Sequence, residues 1–87
     1  MYDVLLSDSA RAFFENAAAS LQRRLDRCFD HLRNEPRRHR HIIALKGNLA
    51  GYYRYRVGDY RVVYSINDDE RVVIVATIAD RKDVYRP

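Results

Sequence analysis

The chain has 87 residues, 47% of them hydrophobic and 32% charged, with a formal net charge of +4. That length closes one modest core and leaves nothing for a second, so a single domain over residues 1–87 is expected, and the interleaved charge excludes a disordered chain. No apolar run nears the roughly 20 residues of a membrane span, and MYDVLLSDSARAFF lacks the basic start and long apolar stretch of a secretion signal, so a cytoplasmic protein with no membrane partner is expected.

The first predicted element is a short strand, Tyr2-Asp3-Val4-Leu5-Leu6. Ser7, Asp8 or Ser9 can cap the brief helix suggested by Ala10-Arg11-Ala12-Phe13-Phe14. From Ala18 to about Asn34 the apolar residues Leu21, Leu25, Cys28, Phe29 and Leu32 recur at helical spacing. They form one buried stripe, opposite a face of Arg23, Arg24, Arg27 and Asp30. Cys28 is the lone cysteine, which excludes an intramolecular disulfide and a cysteine-based zinc site and makes it a small buried apolar residue. Pro36 ends the helix, because the residue before a proline is pushed out of helical geometry. The loop Arg37-Arg38-His39-Arg40-His41 then leads into the strand Ile42-Ile43-Ala44-Leu45 and a turn at Lys46-Gly47-Asn48.

Tyr52 to Val57 and Tyr60 to Ile66 are rich in β-branched and aromatic residues, and Gly58-Asp59 between them suits a two-residue hairpin turn. Asn67-Asp68-Asp69-Glu70 is a second turn. The run from Arg71 to Ile78 that follows is apolar on both sides of its pleat, the pattern of a central strand covered on both faces. The expected fold class is α+β: an N-terminal strand and two helices packed on a mainly antiparallel sheet of four to five strands.

The hairpin carries the chemistry. With a two-residue turn, Val57 pairs with Tyr60, Arg56 with Arg61, Tyr55 with Val62 and Arg54 with Val63. The side-chain period of two then puts Tyr53, Tyr55, Val57, Tyr60, Val62 and Tyr64 on one face and Arg54, Arg56, Arg61 and Val63 on the other. Like charges directly opposite in a sheet cost on the order of a few tenths to 1 kcal/mol, and an anion would convert that repulsion into joint attraction. The charge map agrees. Residues 33–61 hold eight Lys/Arg against two carboxylates, whereas both ends of the chain are near neutral. Such a patch is the electrostatic footprint of a polyanion partner, and arginine, with its planar fork, suits phosphate. Arg81 sits where the last strand ends, on a face that strand parity leaves open, and Tyr85 follows it.

Leu45-Lys46-Gly47, the run Gly51 to Tyr64, Asp80-Arg81 and Val84-Tyr85 together resemble the RelE/ParE superfamily of bacterial toxins from type II toxin–antitoxin systems. The likeness spans nearly the whole chain and is most specific in the hairpin and the arginine-to-tyrosine tail. RelE-like members cut mRNA in the ribosomal A site, whereas ParE-like members poison DNA gyrase and generally lack the catalytic set. The resemblance is to the first kind. It implies that Arg54 and Arg56 stand at two basic catalytic positions, Arg61 at a phosphate-gripping arginine, Arg81 at the arginine after the last strand and Tyr85 at a C-terminal tyrosine. It further implies a metal-independent endoribonuclease without a small-molecule cofactor, whose partners are a cognate antitoxin, the ribosome and mRNA.

One departure shifts the chemistry. Relatives usually have lysine where this chain has Arg54 and Arg56, and arginine, with a pKa above about 12, is a poor proton-transfer group. Those residues are expected to clamp, and Tyr85, ribosomal groups or orientation alone to replace proton transfer. His31, near the end of a helix, and His39 and His41, in the basic loop, are expected to be structural or RNA-contacting and not catalytic. Arg37, Arg38, Arg40 and Lys46 are expected to meet RNA backbone, with a contribution that fades with salt. Two other readings compete: a ParE-like gyrase binder without chemistry of its own, and a non-toxic basic RNA-binding module.

Overall fold

The computed structural model describes residues 1–83. Its elements in chain order are β1 (Asp3–Leu6), α1 (Asp8–Asn16), α2 (Ala19–Asn34), β2 (Ile42–Ala44), a 3-10 turn (Gly47–Leu49), β3 (Tyr52–Val57), β4 (Tyr60–Asn67) and β5 (Val72–Asp80). The α+β order is the expected one. Helix α1 is longer than Ala10–Phe14 because capping starts it early: the Ser7 Oγ accepts from the Ala10 N–H at 3.1 Å. The same hydroxyl donates to the Ala76 carbonyl at 2.7 Å, so the cap also pins the helix start to β5. Helix α2 ends just before Pro36, as the proline requires.

The five strands form one sheet in the order β1-β5-β4-β3-β2. β1 runs parallel to β5, and every other pair is antiparallel. The β3–β4 register is the one the two-residue turn dictates, with Arg56 opposite Arg61 and Arg54 opposite Val63. A bulge between Val63 and Tyr64 shifts the pairing with β5, which returns Ile78 opposite Val62 on the inner face.

Both helices lie against the inner face. Leu25, Cys28, Phe29 and Leu32 of α2 meet Tyr55, Val57, Val62, Tyr64, Val73, Val75 and Ile78 of the sheet. Each fully buried aliphatic side chain here contributes about 1.5–3 kcal/mol relative to exposure. Burial pushes the Cys28 thiol pKa well above its usual range, so it remains an unreactive thiol.

The outer face corrects one expectation. β5 is central but covered on one side only: Ile74 is 42% exposed, beside Leu5 at 55%. With two short helices there is material for one layer, so apolar residues of the outer pleat meet solvent. Among the described residues no helix is long and apolar enough to cross a membrane.

One buried polar contact ties the layers together. Tyr64 is fully buried, and its hydroxyl donates to the Pro36 carbonyl at 2.7 Å, anchoring the segment after α2 to the centre of the sheet. Removing the donor leaves a buried acceptor unsatisfied, which costs about 1–3 kcal/mol. Tyr64→Phe is therefore expected to lower the thermal midpoint by about 5 °C or more in a domain of this size, and scanning calorimetry will measure it.

Candidate functional site

The hairpin end of the sheet gathers the arginines. Gly58 closes the turn with a φ of 58°, in the left-handed region that favours glycine, and the guanidinium of Arg24 from α2 packs where a Cβ would stand. On the outer face, Arg54 and Arg56 of β3 lie beside Val63 and Arg61 of β4. Val63 is only 4% exposed, so it forms an apolar floor among the charges. The Arg61 Nη1 donates to the carbonyls of Gly58, at 2.9 Å, and Tyr60, at 3.0 Å, which braces its fork against the turn.

Arg81, whose face parity left open, is placed by a backbone bond. Its N–H donates to the Asp59 carbonyl at 2.8 Å, which continues the β4–β5 pairing one step beyond Tyr60 and Asp80. That bond sets Arg81 beside the hairpin turn, opposite the residue two before Arg61. Tyr85 lies outside the described residues.

The other basic candidates divide. Arg40 is exposed in the loop before β2, close to the hairpin end, and Arg38 is exposed on the same loop. Lys46 is exposed after β2, at the other end of the sheet. Arg37 also goes to that far end, about 25 Å away given the rise of β4. There its Nη1 and Nη2 donate to the two Asp68 oxygens at 3.2 and 2.8 Å, and its Nε donates to the Tyr53 hydroxyl at 3.3 Å. The Tyr2 hydroxyl donates to Asp68 as well, at 2.7 Å. The fork of Arg37 is thus engaged in joining the N-terminus, the basic loop and the β4–β5 turn.

Sequence reasoning kept the histidines apart from the arginine site, and the structure does not. The His41 carbonyl accepts from the Arg56 N–H at 2.9 Å and from the Arg54 Nη1 at 3.1 Å, while the His41 Nδ1 lies 3.4 Å from the Arg56 Nη2. The rings of His31 and His39 lie 4.7 Å apart, those of His39 and His41 5.1 Å apart, and all three surround Tyr55. Partial burial lowers the pKa of both His39 and His41. His31 and then Arg40 add to this at His39, and Arg56 and then Arg40 at His41, so the charged form is disfavoured at both rings. The missed signal was the β2–β3 register: Ile42 pairs with Tyr55, so the residue before it falls opposite Arg56.

A single helix layer backing an open, arginine-bearing hairpin face defines a small α+β protein with a basic sheet face. Residues 4–85 match the model of the ParE toxin of type II toxin–antitoxin systems, parDE, and the chain belongs to this family within the RelE/ParE superfamily. Toxin RelE of Mycobacterium tuberculosis (strain ATCC 25618 / H37Rv) is 43% identical over 58 residues, 67% of this chain and 58% of that protein. Toxin RelG of the same organism is 38% identical over 42 residues, 48% of each chain. The matched stretch thus spans about half the length of these curated relatives. The archaeal RelE–RelB complex from Pyrococcus horikoshii OT3 matches with a TM-score of 0.81 at 28% identity, covering 95% of this chain and 98% of that one. The RelBE2 toxin–antitoxin complex from Mycobacterium tuberculosis matches with a TM-score of 0.79 at 26% identity, covering 92% and 98%.

The Asp68 carboxylate is held below its ordinary pKa of 3.8 by the Arg37 hydrogen bond first and the Tyr2 hydroxyl second. A depressed carboxylate pKa contributes stability above the unfolded value that is lost as pH falls through the folded one. Asp68→Asn is expected to lower the thermal midpoint at neutral pH and to flatten the acid limb of midpoint against pH, because the variant has no charge to lose there. Calorimetry from about pH 7 down to about pH 2 checks both.

Proposed function

We propose that this chain is the toxin of a type II toxin–antitoxin system that cleaves mRNA on the ribosome, in the A site, and is held inactive by a cognate antitoxin. The observation that carries the reading is the outer face of the β3–β4 hairpin, where Arg56 stands opposite Arg61 with Arg54 on the same pleat and Arg81 beside the hairpin turn. The RelE names of the relatives support the same reading, and none of them favours gyrase as target.

In the proposed reaction the ribose 2′-oxygen loses its proton and bonds to the adjacent phosphorus. The bond from phosphorus to the 5′-oxygen breaks, and the 5′-oxygen takes up a proton, leaving a 2′,3′-cyclic phosphate and a 5′-hydroxyl. Arg56 and Arg61 hold the phosphoryl oxygens as charge builds on them, with Arg54 and Arg81 as further clamps. None of these guanidiniums transfers protons readily, because the pKa of arginine lies above about 12. Tyr85 is the proposed base or stacking platform within this chain. Arg38, Arg40 and Lys46, all exposed, are the proposed contacts to RNA backbone, whereas Arg37 is engaged with Asp68.

Loss of one preorganised donor lowers the rate of such a step by about 10²- to 10³-fold. Arg61→Ala and Arg56→Ala are each expected to show that loss while melting as cooperatively as the parent protein. Primer extension on a translated mRNA after brief induction reads the cuts. Intact mRNA together with a DNA-damage response would overturn the proposal in favour of a gyrase target.

A further inference from the structure

Behind the arginine face, on the helix side of the same sheet edge, lies a cleft of about 390 Å3. Helix α2 contributes Arg24, Arg27 and His31 to its wall, the loop before β2 contributes His39, Arg40 and His41, and β3 contributes Tyr55 and Arg56. No carboxylate lines it among the described residues. The two ion pairs among those residues, Arg33 with Asp30 and Arg37 with Asp68, both lie elsewhere. Four guanidiniums therefore converge beside three imidazoles with no carboxylate among the described lining residues, and the repulsion among the guanidiniums is one that an anion would relieve.

The geometry points to a second phosphate site, in which Arg24, Arg27, Arg40 and Arg56 with the imidazoles of His39 and His41 hold a backbone phosphate of single-stranded RNA beside the phosphate gripped on the outer face. It rests on the RNA reading of the arginine face for the identity of the larger ligand, while the phosphate chemistry stands on the cleft itself. Arg56 is shared between the two sites, so one strand can pass from the outer face around the β2–β3 edge into the cleft. The ring cluster favours a nucleotide over an acidic peptide. His39 lies nearly parallel to Tyr55 at 5.1 Å, and partly exposed imidazole faces offer stacking that a carboxylate side chain does not use. The histidines are not arranged for a metal: among the described residues no group of three or more His, Cys, Asp or Glu is placed to hold one.

A consequence distinguishes this site from a merely structural ring cluster. In the unliganded protein burial and the cationic neighbours Arg40, Arg54 and Arg56, with His31 beside them, disfavour the imidazolium at His39 and His41. A bound phosphate reverses that balance, so binding takes up protons and tightens as pH falls.

The test uses the purified full chain, with inorganic phosphate and a 2′-deoxy trinucleotide as probes, the latter lacking the attacking hydroxyl. Histidine C2–H resonances, assigned with His39→Gln and His41→Gln, are expected to shift saturably with each probe. Trinucleotide affinity is expected to rise between about pH 8 and about pH 6. Arg27→Ala removes one charge-assisted contact from an exposed helix position and is expected to weaken the trinucleotide about tenfold, with an unchanged circular dichroism melt. An absence of saturable shifts, affinity in Arg27→Ala equal to the parent's, or equal shifts with a short polyglutamate would each overturn the site, the last in favour of an acidic protein segment. The two readings fail separately. Phosphate held in the cleft by a protein that leaves mRNA intact removes the nuclease reading alone. Cleaved mRNA with undiminished trinucleotide binding in Arg27→Ala removes the cleft alone.

Discussion

Gly58 adopts a φ of 58°, which lets the β3–β4 connection close with two residues, and from that closure the rest of the charge geometry follows. A two-residue turn obliges Arg56 to face Arg61 and sends Tyr55, Val57, Val62 and Tyr64 to the side the helices cover. A shift of one residue would exchange the faces, burying guanidiniums and exposing the core. The hydrophobic demand of the inner face thus holds the arginines together on the outer face, against their mutual repulsion of a few tenths to about 1 kcal/mol. Arg24 packs over Gly58 from α2, so the helix layer meets the same turn.

The two ends of the sheet treat positive charge differently. At the β4–β5 end, Arg37 meets Asp68, and Tyr2 and Tyr53 complete a network that joins segments distant in sequence. At the hairpin end the described residues provide carbonyl acceptors: Gly58 and Tyr60 for Arg61, and His41 for Arg54. Carbonyls orient a guanidinium without neutralising it. The charge of Arg37 is thus spent on fastening the fold, while backbone carbonyls orient Arg54 and Arg61 at the hairpin end.

The core anchors follow the same logic of placement. Tyr64 reads in the sequence as one more inward aromatic of a strand, yet its hydroxyl satisfies the carbonyl of Pro36, the residue that ends α2. The proline stops the helix for a local reason, and the tyrosine then fixes where the freed backbone goes. Because the Arg37 to His41 loop begins there, this bond helps deliver His39 and His41 to the edge of the arginine face. A mainly structural interaction thereby bears on the chemistry of the site.

The sequence by itself determined the α+β order, the buried stripe of α2, the β3–β4 register and the gathering of Arg54, Arg56 and Arg61. These depend on local spacing, on a turn of known length and on alternation, all of which act over a few residues. It did not reveal that the outer pleat around Ile74 and Leu5 stays uncovered, because apolar character cannot say how many layers a short chain will supply. Nor did it place Arg81 beside Asp59, or bring His31, His39 and His41 around Tyr55 with Arg24 and Arg27 behind them. Those juxtapositions join a helix, a loop and two strands through long-range packing, and only the closed core sets the distances between them.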